Sequence, residues 1–256
     1  MSVDLTRHEE FGVLTLDRPN ALNALNAETM QAVGEALDAA EKLEIRALII
    51  TGAGEKAFCA GADVNELVGL DAWSKRRKSE VGQAVFAKLD RLRVPSISLI
   101  NGFAFGGGME LALACTFRLA TPRAAMALPE IKLGIMPGYG GTQRLPRLIG
   151  EARALEMIMT GRVVKADEAL ALGLVNRVVG HESRIGDAIA FAREFSAYSL
   201  LALAYARDAV KRALAMPLHE GLKIEAELST LAFQSGDAKE GIAAFIAKRP
   251  AKFADV

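Results

Sequence analysis

The sequence lacks a surplus of charge of either sign, because its 256 residues carry 31 basic and 31 acidic side chains. Such a chain has no overall positive field to hold nucleic acid, and only a local basic patch could serve an anionic ligand. Hydrophobic residues make up 51% of the chain and charged residues 24%, which is typical of a globular protein with a substantial core.

Cysteine is scarce, since Cys59 and Cys115 are the only two and are too few for a disulfide framework. No Asn-X-Ser/Thr glycosylation acceptor occurs, and the chain does not open with a charged and then apolar signal peptide. The sequence contains no uninterrupted run of roughly 18 apolar residues, which is the length that a membrane-spanning helix needs. We therefore expect a cytoplasmic protein with no membrane partner.

Several catalytic signatures are also missing. His8, His181 and His219 are scattered, so no metal site is expected, and neither a Gly-X-Ser-X-Gly elbow nor a P-loop occurs. Gly52–Ala57 fits the G-x-G-x-x-A form of a dinucleotide fingerprint after a predicted strand. That fingerprint needs a helix to begin at the glycines, however, and Gly61 interrupts any such helix. The sequence thus predicts neither a metal nor a nicotinamide cofactor.

Strand-like and helix-like patterns alternate up to about residue 130. Val13–Leu16, Ala47–Ile50 and Ile97–Ile100 indicate strands, and Ala27–Lys42 has helical spacing behind Asn26 as a possible cap. This alternation is typical of an α/β fold with a largely parallel sheet.

After residue 180 the pattern is helical, from Arg184 to Lys248, with breaks near Pro217 and Gly236. We expect an α/β core over residues 1–195 and a helical region over residues 196–256. The apolar pattern of this region is too extended for one small core, which suggests burial between subunits. It includes Leu222, Leu228, Leu231 and Phe233.

Two acids stand in apolar surroundings beside glycine-rich segments. Glu110 follows Gly106–Gly108 and opens a predicted helix over Met109–Leu119, and Glu130 follows Leu128-Pro129. A buried acid without a partner or a role is rare, and burial raises its pKa toward the range useful for proton transfer. The pair therefore indicates acid/base chemistry beside a carbonyl group.

Backbone amides freed by glycine could meet an anionic oxygen near these acids. Gly61-Ala62-Asp63 is expected to bend, with a helix starting near Asp63 and running through Val64, Leu67 and Val68. The glycine triplet would supply a second amide, because close packing of its helix needs one or two glycines at most.

The motifs together resemble the crotonase superfamily, and enoyl-CoA hydratases in particular. The resemblance covers nearly the whole chain in order and is carried by Leu16–Leu25, Ala57–Asp63, Asn101–Glu110, Pro129–Ile131 and Gly138–Leu145. It implies a spiral core of ββα units, a helical C-terminal trimerisation region, and a trimer or a hexamer of two trimers. It also implies a place in lipid metabolism and an acyl-CoA thioester as substrate, with no separate cofactor.

Site residues follow by position from the same resemblance. The backbone amides of Ala62 and Gly107 would form an oxyanion hole, and Glu110 and Glu130 fall on the two acids of the hydratases. The residues expected at the acyl-CoA site are Ala60, Asp63 and Val64, joined by Phe245 and Lys248 near the CoA nucleotide, often from a neighbouring subunit.

The resemblance implies addition of water across the C2–C3 double bond of an enoyl-CoA. Two alternatives stay open: a double-bond isomerase that uses one acid, and a relative that binds RNA through the basic run Lys75–Lys78. Leu70–Glu80 is the poorest match to the family and falls where relatives shape the acyl pocket, so acyl length is not determined by the sequence.

Overall fold

Alternating strands and helices build most of the chain, and helices alone build its last quarter. The computed structural model describes residues 2–255. Its strands are β1 (Val3–His8), β2 (Phe11–Leu16), β3 (Ala47–Gly52), β4 (Ala57–Cys59), β5 (Ser96–Ile100), β6 (Phe103–Phe105), β7 (Phe117–Ala120), β8 (Ala125–Ala127), β9 (Val164–Lys165) and β10 (Arg177–Val178).

The helices follow the strands in a regular order. They are α1 (Ala27–Lys42), α2 (Ala72–Arg91), α3 (Gly107–Ala114), α4 (Gly141–Ile149), α5 (Glu151–Thr160), α6 (Ala166–Ala171), α7 (Arg184–Ser196), α8 (Leu200–Arg212), α9 (Leu218–Gln234) and α10 (Gly236–Ile246). Short 3-10 helices cover Pro19–Ala21, Val64–Leu67 and Pro129–Leu133.

The strands form two sheets, and the consecutive strands β3 to β8 alternate between them. The order is β1-β2-β3-β5-β7-β10 in the larger sheet and β4-β6-β8-β9 in the smaller one. In each of the pairs β3/β4, β5/β6 and β7/β8, the first strand joins the larger sheet and the second joins the smaller. A helix then returns the chain for the next pair. This repeated ββα arrangement confirms the predicted α/β core.

The sequence patterns located several elements correctly. The predicted strands lie within β2, β3 and β5, and α1 has the predicted bounds. Asn26 is its cap, because the side-chain Oδ1 accepts a hydrogen bond of 2.8 Å from the amide of Thr29. Pairing between β2 and β3 and between β3 and β5 is parallel, as expected, whereas β1 and β2 are antiparallel.

Two predicted helices are shorter in the structure. The helix predicted over Met109–Leu119 ends at Ala114, because Phe117–Ala120 pairs in parallel with β5 as strand β7. The helix predicted from Asp63 is a single 3-10 turn over Val64–Leu67, and Val68 beyond it is 83% exposed. Sheet pairing outweighs local helical spacing in the first case.

Four helices occupy the C-terminal part, with the predicted breaks near Pro217 and Gly236 confirmed. Several large apolar side chains on α9 and α10 are exposed in the single chain, including Leu218, Leu222, Leu231, Phe233 and Phe245. Such a surface fits burial between subunits, which stays a prediction, as does the division after residue 195. Within residues 2–255, no helix is long and apolar enough to cross a membrane.

Candidate active site

Three adjacent strands of the smaller sheet end at one cavity. β4, β6 and β8 run parallel, so the segments that follow them emerge at the same edge. Ala60–Ala62 follows β4, Gly106–Glu110 follows β6, and Leu128–Glu130 follows β8. All three segments line a cavity of about 270 Å³.

The first two segments bring two backbone amides together. A Cβ atom placed on Gly107 would lie 3.3 Å from the amide nitrogen of Ala62. The turns that allow this use positive φ, of 107° at Gly61 and 49° at Gly106, which a residue with a side chain would adopt only under strain. Within residues 2–255, neither the Ala62 nor the Gly107 amide has an acceptor. The pair is therefore suited to hold one anionic oxygen.

Glu110 lies one turn into α3 and is 1% exposed. Its Oε1 accepts hydrogen bonds from the backbone amides of Tyr139 (2.7 Å) and Gly141 (2.8 Å). Burial raises the pKa of this carboxyl group, while the two amides and the nearby Lys75 oppose the rise by stabilising the anion. Glu110 is thus a buried acid whose charged form is stabilised by hydrogen bonds.

Glu130 lies in the 3-10 helix Pro129–Leu133, and its carboxyl group has fewer hydrogen-bond partners than that of Glu110. Its Oε2 is buried without a hydrogen-bond partner. A Cβ atom placed on Gly106 would lie 2.9 Å from its Oε1, so the carboxyl group faces the turn before α3. Burial, helped by the charge of Glu110, raises the pKa of Glu130 to about 7. A proton therefore stays on Glu130 in a large fraction of molecules near neutral pH.

The other expected site residues divide into two groups. Ala60 and Val64 line the cavity with the amides and the acids. Asp63 does not line it, because its Oδ1 accepts from the backbone and side-chain nitrogens of Asn65 and caps the short helix. Phe245 and Lys248 are exposed at the end of α10 and do not line the cavity of their own chain.

Lys75 and Tyr139 are cavity residues whose roles the sequence patterns did not predict. Lys75 continues the inward face of α2, where Gly82 and Phe86 are buried, and its Nζ donates a 3.0 Å hydrogen bond to Ser79. That helical spacing is the signal that could have located Lys75. No local signal located Tyr139, whose orientation depends on contacts with distant parts of the chain.

Three of the four cations in the basic run on α2 are engaged elsewhere. Arg76 pairs with Glu80, Lys78 pairs with Glu66, and Lys75 faces the cavity. This use of the cations weakens the alternative of an RNA-binding surface.

Other sequence candidates also have structural roles. Cys59 is buried, which raises the pKa of its thiol to about 12 and makes it unreactive. The glycines of Gly52–Ala57 lead into β4 rather than into a helix, so the dinucleotide fingerprint lacks its required context. In the part of the chain that the structure describes, no three His, Cys, Asp or Glu side chains cluster as metal ligands would.

Known sequences similar to this chain have consistent names. A crotonyl-CoA hydratase of Syntrophomonas wolfei subsp. wolfei is 40% identical over 253 residues, which cover 98% of this chain and 97% of that protein. A probable enoyl-CoA hydratase of Rhizobium meliloti is 43% identical over 242 residues, covering 94% of this chain and 93% of the relative.

Solved structures and family models agree with these relatives. The crystal structure of an enoyl-CoA hydratase from Bacillus anthracis matches with a TM-score of 0.94 and 36% identity, and the match covers 100% of both chains. The model of the enoyl-CoA hydratase/isomerase family matches residues 6–256. This chain belongs to the enoyl-CoA hydratase/isomerase family.

Proposed function

We propose that this protein is an enoyl-CoA hydratase, a hydro-lyase that adds water to a trans-2-enoyl-CoA and yields a 3-hydroxyacyl-CoA. One observation carries the proposal: two free backbone amides and two carboxyl groups of raised pKa line the same cavity. Amides of this kind stabilise developing negative charge on a thioester oxygen, and the acids can move the two protons of the reaction. The names of the relatives support the same reaction.

In the proposed mechanism, the thioester oxygen accepts hydrogen bonds from the amides of Ala62 and Gly107. This polarises the conjugated double bond, makes C3 electrophilic and stabilises the enolate-like charge that develops when water attacks. The amides lie in turns that directly follow β4 and β6, which positions them before the substrate binds.

The two acids hold one water molecule against C3 and divide the two proton transfers between them. Glu110, whose anion is held by two amides, accepts a proton from the water while the water oxygen bonds to C3. Glu130, which is protonated in a large fraction of molecules near neutral pH, delivers that proton to C2. Hydroxyl and hydrogen are thereby added across the double bond, and the net proton passes from Glu110 back to Glu130. No metal or redox centre is needed, and CoA enters as part of the substrate.

The proposal includes a homo-oligomer, either a trimer or a hexamer of two trimers. Phe245 and Lys248 are exposed at the end of α10 and do not reach the cavity of their own chain. In an oligomer they would approach the CoA nucleotide bound to a neighbouring subunit. The exposed apolar side chains of α9 and α10 would then be buried between subunits.

We expect Glu110→Gln and Glu130→Gln each to lower kcat/KM for crotonyl-CoA by more than about 10²–10⁴-fold, because the same water needs both groups. Hydration is followed as loss of the conjugated-thioester absorbance. Glu110→Gln keeps an oxygen to accept the two amides, so circular dichroism should show an intact fold.

Glu80→Gln is the matched control for this pair, because Glu80 is an exposed acid on α2 that pairs with Arg76. Its turnover should stay near that of the wild type. Near wild-type turnover in either Glu110→Gln or Glu130→Gln would remove that residue from the mechanism. The isomerase alternative is tested in parallel by measuring whether the enzyme shifts the double bond of a 3-enoyl-CoA.

The raised pKa of Glu130 predicts a pH-dependent effect of Glu130→Gln on stability. Below pH 4.5 the carboxyl group is protonated in both the folded and the unfolded state, so it does not favour unfolding. As pH rises toward about 7 the unfolded chain ionises first, and the folded state loses stability. The melting temperature of Glu130→Gln should therefore exceed that of the wild type by a few degrees at pH 8, and the excess should vanish near pH 4.5. An excess that is equal at both pH values would contradict this origin.

Gly107 tests the oxyanion hole. Its Cβ position lies 3.2 Å from the Tyr139 ring and 3.3 Å from the Ala62 amide, so a side chain there displaces one donor. We expect Gly107→Val to lower kcat by about 10²–10³-fold and Gly107→Ala to lie between it and the wild type. Gly186→Ala on α7 is the control, because a Cβ atom there meets nothing within 4 Å. Full activity in a folded Gly107→Val protein would refute the assignment.

Lys248 tests the contact with the CoA nucleotide. Lys248→Ala should raise KM for crotonyl-CoA several-fold with kcat nearly unchanged, because the lost contact is common to ground and transition states. A pantetheine thioester, which lacks the nucleotide, should show little effect, and Lys239→Ala on α10 serves as the control. Equal impairment with both thioesters, or a monomer by light scattering, would argue against the proposed arrangement.

A further inference from the structure

A second cavity lies between α1 and α2, beside the catalytic one. Its volume is about 600 Å³, compared with about 270 Å³ for the catalytic cavity. Among residues 2–255, Tyr139 alone lines both cavities. One aromatic side chain therefore separates a small reaction chamber from a larger neighbouring space.

Tyr139 is held in this position by close contacts on both edges of its ring. Cβ atoms placed on Gly107 and on Gly82 of α2 would lie 3.2 Å and 2.3 Å from ring carbons, so the ring fills the space that these glycines leave. Phe86 packs against the ring edge to face, with centroids 5.8 Å apart. Tyr139 is 7% exposed, and these contacts leave its ring little freedom to move aside.

The tyrosine side chain is not needed for the hydrogen bond that supports Glu110. That bond comes from the backbone amide of Tyr139, at 2.7 Å. Burial raises the pKa of the phenol to about 12, so the ring stays uncharged while it lies between the cavities. The side chain therefore acts through its position and size, which close the space between the two cavities, and not through its charge.

We propose that Tyr139 determines acyl-chain length by closing the catalytic cavity toward the cavity between α1 and α2. This inference rests on the proposed function, because it concerns the acyl chain of the enoyl-CoA. A volume of about 270 Å³ lies below the roughly 300–1,000 Å³ of typical ligand sites, and the thioester and the water share it. The preferred substrates are therefore short-chain enoyl-CoAs.

The second cavity is suited to receive a longer chain once the ring is removed. Met30 of α1 and Val85 of α2 line it, and Gly34 between them leaves room in its wall. A Cβ atom on Gly34 would meet Val85 at 3.5 Å, which is ordinary contact, so a side chain can be introduced here without a clash at Cβ. Gly34 thus offers a way to refill the cavity without touching the catalytic residues.

The first experiment compares kcat/KM for enoyl-CoAs of four and ten carbons. We expect Tyr139→Ala to raise the ten-carbon to four-carbon ratio at least tenfold, because each newly buried methylene contributes about fourfold. Tyr139→Phe should keep the wild-type ratio within about twofold. Adding Gly34→Leu to Tyr139→Ala should cancel the gain. An unchanged ratio in Tyr139→Ala, or a gain that Gly34→Leu does not cancel, would overturn the proposal.

A second experiment uses the wild-type ring and does not depend on hydratase activity. Binding of saturated acyl-CoAs of four to twelve carbons is measured by calorimetry. Affinity should stop rising once the chain reaches Tyr139, and Gly34→Leu alone should leave the series unchanged. Weaker binding of long chains to Gly34→Leu would show that chains already enter the second cavity, which would refute the gate. Because saturated thioesters cannot be hydrated, a failure of the proposed reaction leaves this result interpretable.

Discussion

The parallel pairing of β4, β6 and β8 is the constraint on which the site depends. Parallel strands end at a common edge, so the chain after each strand reaches the same place. The first strand delivers the Ala62 amide, the second delivers Gly107 and Glu110, and the third delivers Glu130. The positive φ of Gly61 and Gly106 turns the backbone at this edge so that the amides point into the cavity. The groups proposed for binding and for proton transfer thus share one architectural origin.

Glu110 connects this edge to the next segment of the chain. By accepting the amides of Tyr139 and Gly141, its carboxylate fixes the approach to α4 and, through it, the ring of Tyr139. A buried acid costs free energy unless it is hydrogen-bonded, and these two donors offset that cost. The same residue therefore moves a proton in the proposed reaction and fixes the wall of the acyl site. The proposed acid/base chemistry and the proposed substrate selection are therefore structurally coupled.

Sequence patterns predicted local features of the fold better than features that depend on contacts between distant residues. α1 and its Asn26 cap were predicted with their bounds, because an amphipathic helix with a cap is a local property. α3 was predicted too long, since pairing of β7 with β5 is a non-local property that helical spacing does not reveal. Glu110 was identified by its apolar neighbours in sequence. Tyr139 was missed as a wall because Gly82, which receives its ring, lies 57 positions away.

Several polar groups that face the cavity lack hydrogen-bond partners within the described stretch of the folded chain. Oε2 of Glu130 is buried without a partner, and the amides of Ala62 and Gly107 have no acceptor within residues 2–255. A buried group without a partner, such as Oε2 of Glu130, costs roughly 1–3 kcal/mol, and it persists because the surrounding structure fixes its position. An acyl thioester and a water molecule would satisfy all three at once. The folded chain therefore holds hydrogen-bonding capacity that the proposed substrate would use, and the enolate-like transition state would use the two amides most fully.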